Sequence, residues 1–435
     1  MVLVILLFFC YTINSGGNMK KILYIFLIIL LGIFSYIFFT YQQLKYYEEI
    51  LNEVEVIEFN INSYSIFGTH LNMEGCINKK LESPELILKN KEEVIVLEST
   101  FYEEENNTCF YTSEYNDGGI YLDGLNKGNY ILLVKDNEST YTLNNNTEYK
   151  DLEYYTITKN NINNKINIKF KEYEGKHYIN FVIKESKLPD DVYDISIDPG
   201  HGGKDPGAIG KLNGIEYYES NLTLSTSLLI KEELEEMGLK VHITRDEDAY
   251  LSSYGTVGRA VLPNNNHTKY SFSIHFNSSY GTPTSGGVEV YTPNDVDYTL
   301  ATMLADNLSK VVGYSKNSSF RIKNGVYFKY FKQKDIDESR QSLLEEEMLP
   351  YDITLGAPYM YMIREVGGIH TYAYIDGRNE VYGLNKHYNS NHTAEPYLIE
   401  LAYINYSEDL AKVLNNPKEF SSAVSNAIKE YLNIS

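Results

Sequence analysis

The sequence predicts an α/β domain over 191–435, with a mixed, mostly parallel sheet flanked by helices, preceded by an all-β sandwich-like domain over 55–188 and an N-terminal transmembrane helix. Three observations carry this expectation. Strand and helix patterns alternate after Asp191, which marks an α/β sheet. Short alternating segments separated by turn clusters fill 55–188. An uncharged apolar run, Ile22 to Phe39, stands near the amino terminus.

Composition agrees with a multi-domain folded chain. At 435 residues it exceeds a usual single domain, and 43% hydrophobic with 22% charged residues suits a chain that buries a core. The formal net charge of -21, with no basic block, excludes nucleic acid as a partner, because phosphate binding needs clustered Lys and Arg. Cys10, Cys76 and Cys109 contain no CxxC pair, so a thiolate zinc site is not expected. Cys76 and Cys109 are open to two readings, one disulfide or two free thiols.

From the amino terminus, 1–21 is a flank in which Met19, followed by Lys20 and Lys21, resembles an alternative start. Residues 22–40 form the expected membrane anchor. The preceding lysines would keep their side cytoplasmic, and no small-residue cleavage site follows, so the expectation is an uncleaved, single-pass cell-membrane protein with the rest of the chain extracytoplasmic. Residues 41–54 read as a stalk. Val94-Ile95-Val96-Leu97, Tyr130 to Val134, Tyr154 to Ile157 and Tyr178 to Ile183 then supply strands, with turns at Asn116-Asp117-Gly118-Gly119 and Asn126-Lys127-Gly128. Their tyrosines and asparagines would make either a packing surface or a carbohydrate-binding face; a spacer or rigid platform is the simpler reading.

Leu188-Pro189-Asp190-Asp191 marks the boundary. The expected order beyond it is a strand Tyr193 to Ile197, a helix Glu219 to Met237 ending at Gly238, a strand Lys240 to Thr244, and a helix near Thr256 to Leu262. Strands Tyr270 to His275, Gly287 to Tyr291 and Tyr397 to Tyr403 complete it.

Three side chains fall at equivalent places in these units. His201 lies in Asp198-Pro199-Gly200-His201-Gly202-Gly203, on the loop after the first strand; Glu219 opens the following helix; His275 ends a later strand. The carboxyl ends of strands in open α/β sheets form the crevice where ligands sit, so these groups can converge there. Two His and one Glu leave a fourth metal position for water, the arrangement of a hydrolytic zinc site. Bound zinc lowers the pKa of its water to about 7.

The ordered motifs Asp198 to Gly203 with Asp205-Pro206-Gly207-Ala208, Glu219-Ser220-Asn221-Leu222, Thr244-Arg245-Asp246, Ser273-Ile274-His275-Phe276-Asn277, and Leu398-Ile399-Glu400-Leu401 with Ile404-Asn405 resemble the zinc-dependent N-acetylmuramoyl-L-alanine amidases. The resemblance runs from about Ile195 to the carboxyl terminus. It implies one catalytic Zn2+ held by His201, Glu219 and His275, Glu400 as the catalytic carboxylate, and peptidoglycan as substrate, cut between N-acetylmuramic acid and L-alanine. Glu216 rivals Glu219, which is preferred because Ser220 to Leu224 follows it as in the family. Arg245 and Asn277 are candidates for substrate contact, with a salt-bridge role equally open to Arg245 and to Arg259. His242 reads as a packing residue, and His387 and His392 as loop histidines or cleft rim.

An insert occupies about 315–395, and within it Lys332 to Leu349 reads as an acidic helix. Some relatives cover their zinc with an inserted helix until an activator protein displaces it; here Glu345, Glu346 or Glu347 would be the covering group, against the simpler reading of a solvated surface helix. Two other readings of the chain are a non-catalytic peptidoglycan-binding protein that keeps the fold and a zinc peptidase acting on stem peptides.

Overall fold

The computed structural model describes residues 19–143, 149–253, 257–281, 283–345, 353–373 and 391–434. The first element is a single helix, Met19–Leu51. Among the described residues no helix is long and apolar enough to cross a membrane. The expected single-pass membrane protein is therefore corrected. The helix continues into the polar Gln42 to Glu49, and its end does not lead away as a stalk. Ile50 and Leu51, with Val54, pack on Ile87, Ile131, Leu133 and Tyr178 of the β-rich region.

That region holds two sheets, one of eight strands and one of six. Alternation sends Phe59, Ile61, Ile66, Leu71 and Met73 from one sheet, and Leu86, Leu88, Tyr130, Leu132, Ile179 and Phe181 from the other, into a shared core. Cys76 and Cys109 face each other on neighbouring strands and form a disulfide, which settles the two readings of this pair. Cys10 lies outside the described residues.

The remainder is built on a seven-stranded sheet. Ile195–Pro199 lies between Val241–Ile243 and Tyr270–Asn277, all parallel, and Tyr270–Asn277 pairs parallel with Glu395–Tyr403. Glu289–Tyr291 joins antiparallel to Glu395–Tyr403; Val326–Tyr327 and Arg321–Lys323 extend the sheet to its far edge. Part of the expected insert is thus sheet rather than appendage.

Its two faces differ because the strands alternate. Ile195, Ile197, Phe272, Ile274, Phe276, Tyr397, Ile399 and Leu401 point one way, into a core closed by helices Glu219–Glu236, Thr299–Val312 and Pro417–Tyr431. Ser196, Asp198, Ser271, Ser273, His275 and Glu400 point the other way. The helix expected near Thr256 to Leu262 differs: its described residues, Val257 to Val261, are turns, and a four-residue helix, Leu262–Asn265, begins with Pro263 in its first turn.

The two regions share a sheet. His392–Thr393, just before the Glu395–Tyr403 strand, pairs parallel with Phe59–Phe67, and the Gly68 N–H donates to the Thr393 carbonyl at 3.0 Å. Thr69 and Tyr270 hydroxyls meet at 3.1 Å, and the Asp297 N–H donates to the Asp117 carboxylate.

Candidate metal centre

His201 sits at φ 61°, left-handed backbone that a histidine adopts more readily than most residues, followed by Gly202 and Gly203 at φ 128° and 57°. This turn lifts the imidazole over the end of the Ile195–Pro199 strand. Glu219 is the first residue of its helix and is buried, and His275 lies near the end of its strand.

The three meet. His201 Nε2 is 3.2 Å from Glu219 Oε2, and His275 Nδ1 is 3.0 Å from Glu219 Oε1. Their ligand atoms all lie within 4.8 Å of one another. The other imidazole nitrogen of His201, Nδ1, is 2.9 Å from Asp205 Oδ2, a contact that fixes the ring's orientation. Glu219 also accepts the Ala208 N–H at 2.8 Å and the Phe276 N–H at 3.0 Å.

Two glycines make room for these groups. A Cβ on Gly200 would stand 2.4 Å from His275 Cε1, and one on Gly207 would stand 2.7 Å from both Glu219 Oε2 and His201 Cδ2. Donor chemistry, convergence and this glycine cradle fit a zinc ion.

Charge reinforces the arrangement. Burial pushes the Glu219 carboxyl up, but hydrogen bonds and charge from His201 and His275 outweigh it and hold it well below the usual carboxylate range. Burial pulls the His201 imidazole down, and the carboxylates of Glu219 and Asp205 more than reverse this.

Glu400 stands beside His275 in register, on the next strand, and Glu289 beside Glu400 on the strand after that. Glu400 Oε2 is sealed from solvent and has no hydrogen-bond partner among the described residues. Burial, then the charges of Glu219 and Glu289, push its carboxyl well above the usual range, with Lys329 acting against them.

Glu216 is not part of the cluster; it is exposed on the hairpin strand Ile215–Tyr218, with Lys211 at 3.9 Å. Arg245 is buried, and its guanidinium is taken up by the carbonyls of Pro199, Gly200, Ser220 and Glu247. Its donors hold the His201 loop to the Glu219 helix and do not point to a substrate. Arg259 does related work, donating to the His201 carbonyl at 2.7 Å with Asp198 at 3.6 Å. Asn277 is half-buried at the end of the His275 strand.

His242 turns to Ser196 Oγ at 2.9 Å, away from the cluster. His392 is in the strand shared with the sandwich rather than at a cleft rim, and burial drives its pKa down to about 3. Glu345 lies on the exposed helix Gln333–Glu345 and accepts from Gln341 of that helix at 2.8 Å, so it does not join the cluster. Glu346, Glu347 and His387 lie outside the described residues.

Sequence reasoning missed Asp205 and Glu289. The first was signalled by its spacing four residues after His201. The second was signalled by an acid inside the apolar run Val288-Glu289-Val290. Glu289 is fully buried and accepts from the hydroxyls of Tyr291, Ser315 and Tyr403 at 2.7, 2.6 and 2.6 Å.

An open α/β sheet with two imidazoles and a carboxylate converging near a second carboxylate, one oxygen of which has no partner among the described residues, defines a candidate metal-dependent hydrolase. Residues 195–338 match the model of the N-acetylmuramoyl-L-alanine amidase family, which bears out the resemblance read from the motifs. The chain is 31% identical over 142 residues to a putative N-acetylmuramoyl-L-alanine amidase of Buchnera aphidicola, covering 32% of this chain and 58% of that protein. It is 38% identical over 120 residues to the sporulation-specific N-acetylmuramoyl-L-alanine amidase of Bacillus subtilis, covering 27% of this chain and 43% of that protein. The chain thus spans less than two thirds of these relatives' own length. Among solved structures it superposes on the amidase AmiC2 of Nostoc punctiforme with a TM-score of 0.36 and 21% identity, covering 57% of this chain and 99% of that one.

Proposed function

We propose that this chain hydrolyses the amide between N-acetylmuramic acid and L-alanine in peptidoglycan. His201, Glu219 and His275 would hold one Zn2+, and Glu400 would be the proton-transfer group. The observation that carries this reading is the convergence of the three ligand atoms within 4.8 Å beside a sealed, unpartnered Glu400 oxygen, in a domain that matches the family.

Zinc, when bound, supplies a Lewis acid and a water acidified to near neutral pH. The work of the chain's own residues follows from their positions. Asp205 holds the His201 ring with Nε2 toward the ligand set, and Arg245 and Arg259 fix the loop that carries it. Glu400, whose ionised form would be favoured by a cation held in the neighbouring ligand set, takes a proton from the attacking water as the water oxygen bonds to the lactyl carbonyl carbon. It returns that proton to the alanine nitrogen as the C–N bond breaks, so a neutral amine leaves. No serine or cysteine nucleophile takes part.

Glu400→Gln tests this assignment. The variant keeps the size and loses the proton acceptor, so it should retain stoichiometric zinc and lose peptidoglycan hydrolysis by at least about 100-fold. Hydrolysis at the unaltered rate would remove Glu400 from the mechanism.

A further inference from the structure

Lys329, near the site face of the sheet, is a cation without a task in the reading above. Lys329 follows the strand Val326–Tyr327, which is separated from the Glu400 strand only by Glu289–Tyr291. In register, Tyr327 neighbours Tyr291 and Tyr291 neighbours Leu398, and these side chains pack together on the face that also bears Glu400. Lys329 is half-buried, its Nζ lies 3.9 Å above the centre of the Tyr359 ring, and its carbonyl accepts the Tyr359 N–H at 2.8 Å. The ring is thereby tied to the residue whose ammonium it supports.

Three other buried cations of this region have a carboxylate at contact distance, Lys269 at 4.0 Å from Asp194, Arg259 at 3.6 Å from Asp198 and Arg364 at 3.3 Å from Glu365, and Arg245 has its donors taken up by carbonyls. Among the described residues no carboxylate is that close to Lys329. It feels the charges of Asp335, Glu289 and Glu400 without touching them, while burial pulls its pKa down. An ammonium held on an aromatic floor, two strands from the candidate proton-transfer group and not in contact with an acid among the described residues, has donors to offer a visiting anion. With 59 acidic against 38 basic residues, the chain repels an anionic substrate overall, so a carboxylate near the site must be met by a local cation.

We propose that Lys329 is a specificity-determining residue that binds a carboxylate on the peptide side of the substrate, beyond the scissile amide; this rests on the amidase reading above. The ammonium forms a charge-assisted hydrogen bond with that carboxylate, and the Tyr359 ring fixes the lysine stem.

The test uses the full chain loaded with zinc and two soluble muramoyl peptides that differ only in a carboxylate or a carboxamide on the residue after the alanine. The unaltered chain should prefer the carboxylate by roughly 10-fold or more in kcat/KM, the range of one hydrogen bond to a charged group. Lys329→Met should erase that preference, raising KM for the carboxylate substrate and leaving KM for the carboxamide substrate unchanged, while any effect on kcat through Glu400 falls on both alike, and Lys329→Arg should restore part of the preference. Equal losses on both substrates, or none on either, would overturn the proposal, because a lysine that only balances Glu289 and Glu400 acts on both alike. The preference of the unaltered chain is a readout that does not depend on any variant folding, and its absence also overturns the proposal. If the unaltered chain cleaves neither peptide nor intact peptidoglycan, the amidase reading itself fails; cleavage without discrimination removes only the role of Lys329.

Discussion

Replacing Gly200 by alanine isolates the packing of the candidate metal centre. The new Cβ would lie 2.4 Å from His275 Cε1 and 2.6 Å from both ring nitrogens, whereas ordinary contact begins near 3.4 Å. The ring must therefore retreat by about 1 Å, and it can do so only by swinging away from Glu219 Oε1, now 3.0 Å from its Nδ1. Gly200 is not among the residues at positive φ, so alanine is compatible with its backbone, and the loss of unfolded-state freedom even favours the variant by about 0.4–1 kcal/mol. Stability should thus change little while ligand geometry is lost. A displacement of about 1 Å at a reacting centre costs on the order of 100-fold. We expect Gly200→Ala to weaken zinc binding in competition with a chromophoric chelator and to lower hydrolysis by about that factor, with an unchanged circular dichroism spectrum. Parent-like zinc affinity together with parent-like hydrolysis would refute the placement of His275 as a ligand.

Asp205→Ala leaves the His201 ring without the contact at Nδ1, and zinc affinity should fall about 10- to 100-fold, measured by the same competition. Asp117, where the sandwich meets the segment after Tyr291, has its carboxyl pushed up to about 7, chiefly by burial, although it accepts the Asp297 N–H. A raised carboxyl pKa makes the folded state hold its proton more tightly than the unfolded chain, so its contribution is greatest below pH 3.8 and declines as pH rises to about 7. Asp117→Asn keeps an acceptor and removes this decline. Relative to the parent it should gain on the order of 2–4 kcal/mol between pH 4 and pH 7.5 in denaturant titrations, and parallel pH profiles would contradict it.

Much of this was legible in the sequence because periodicity and turn chemistry act locally. The alternation of Ile195 and Ile197 with Ser196 and Asp198 separates the core face from the site face, and the glycines around His201 mark the turn that presents it. Less legible were features set by contacts distant in the chain. Nothing local in His392-Thr393 says that it adds to a sheet more than three hundred residues earlier, and nothing local in Arg245 says that its donors are used by a loop and a helix end. The membrane expectation from the apolar amino-terminal run rested on hydropathy alone, and among the described residues no helix is long and apolar enough to cross a membrane. Gly200 and Gly207 show the same limit in reverse. Their value as turn residues was readable, but the ring and carboxylate that occupy their missing side-chain space became evident only in three dimensions.

The most direct test of the account is the identity of the bond that is cut. The zinc-loaded chain should be incubated with purified peptidoglycan and the newly exposed amino groups identified by end-group labelling. The account predicts new amino-terminal L-alanine with intact glycan strands, lost on adding a chelator and restored by zinc. New amino termini from any other residue, or none at all from an enzyme that has bound zinc, would contradict it.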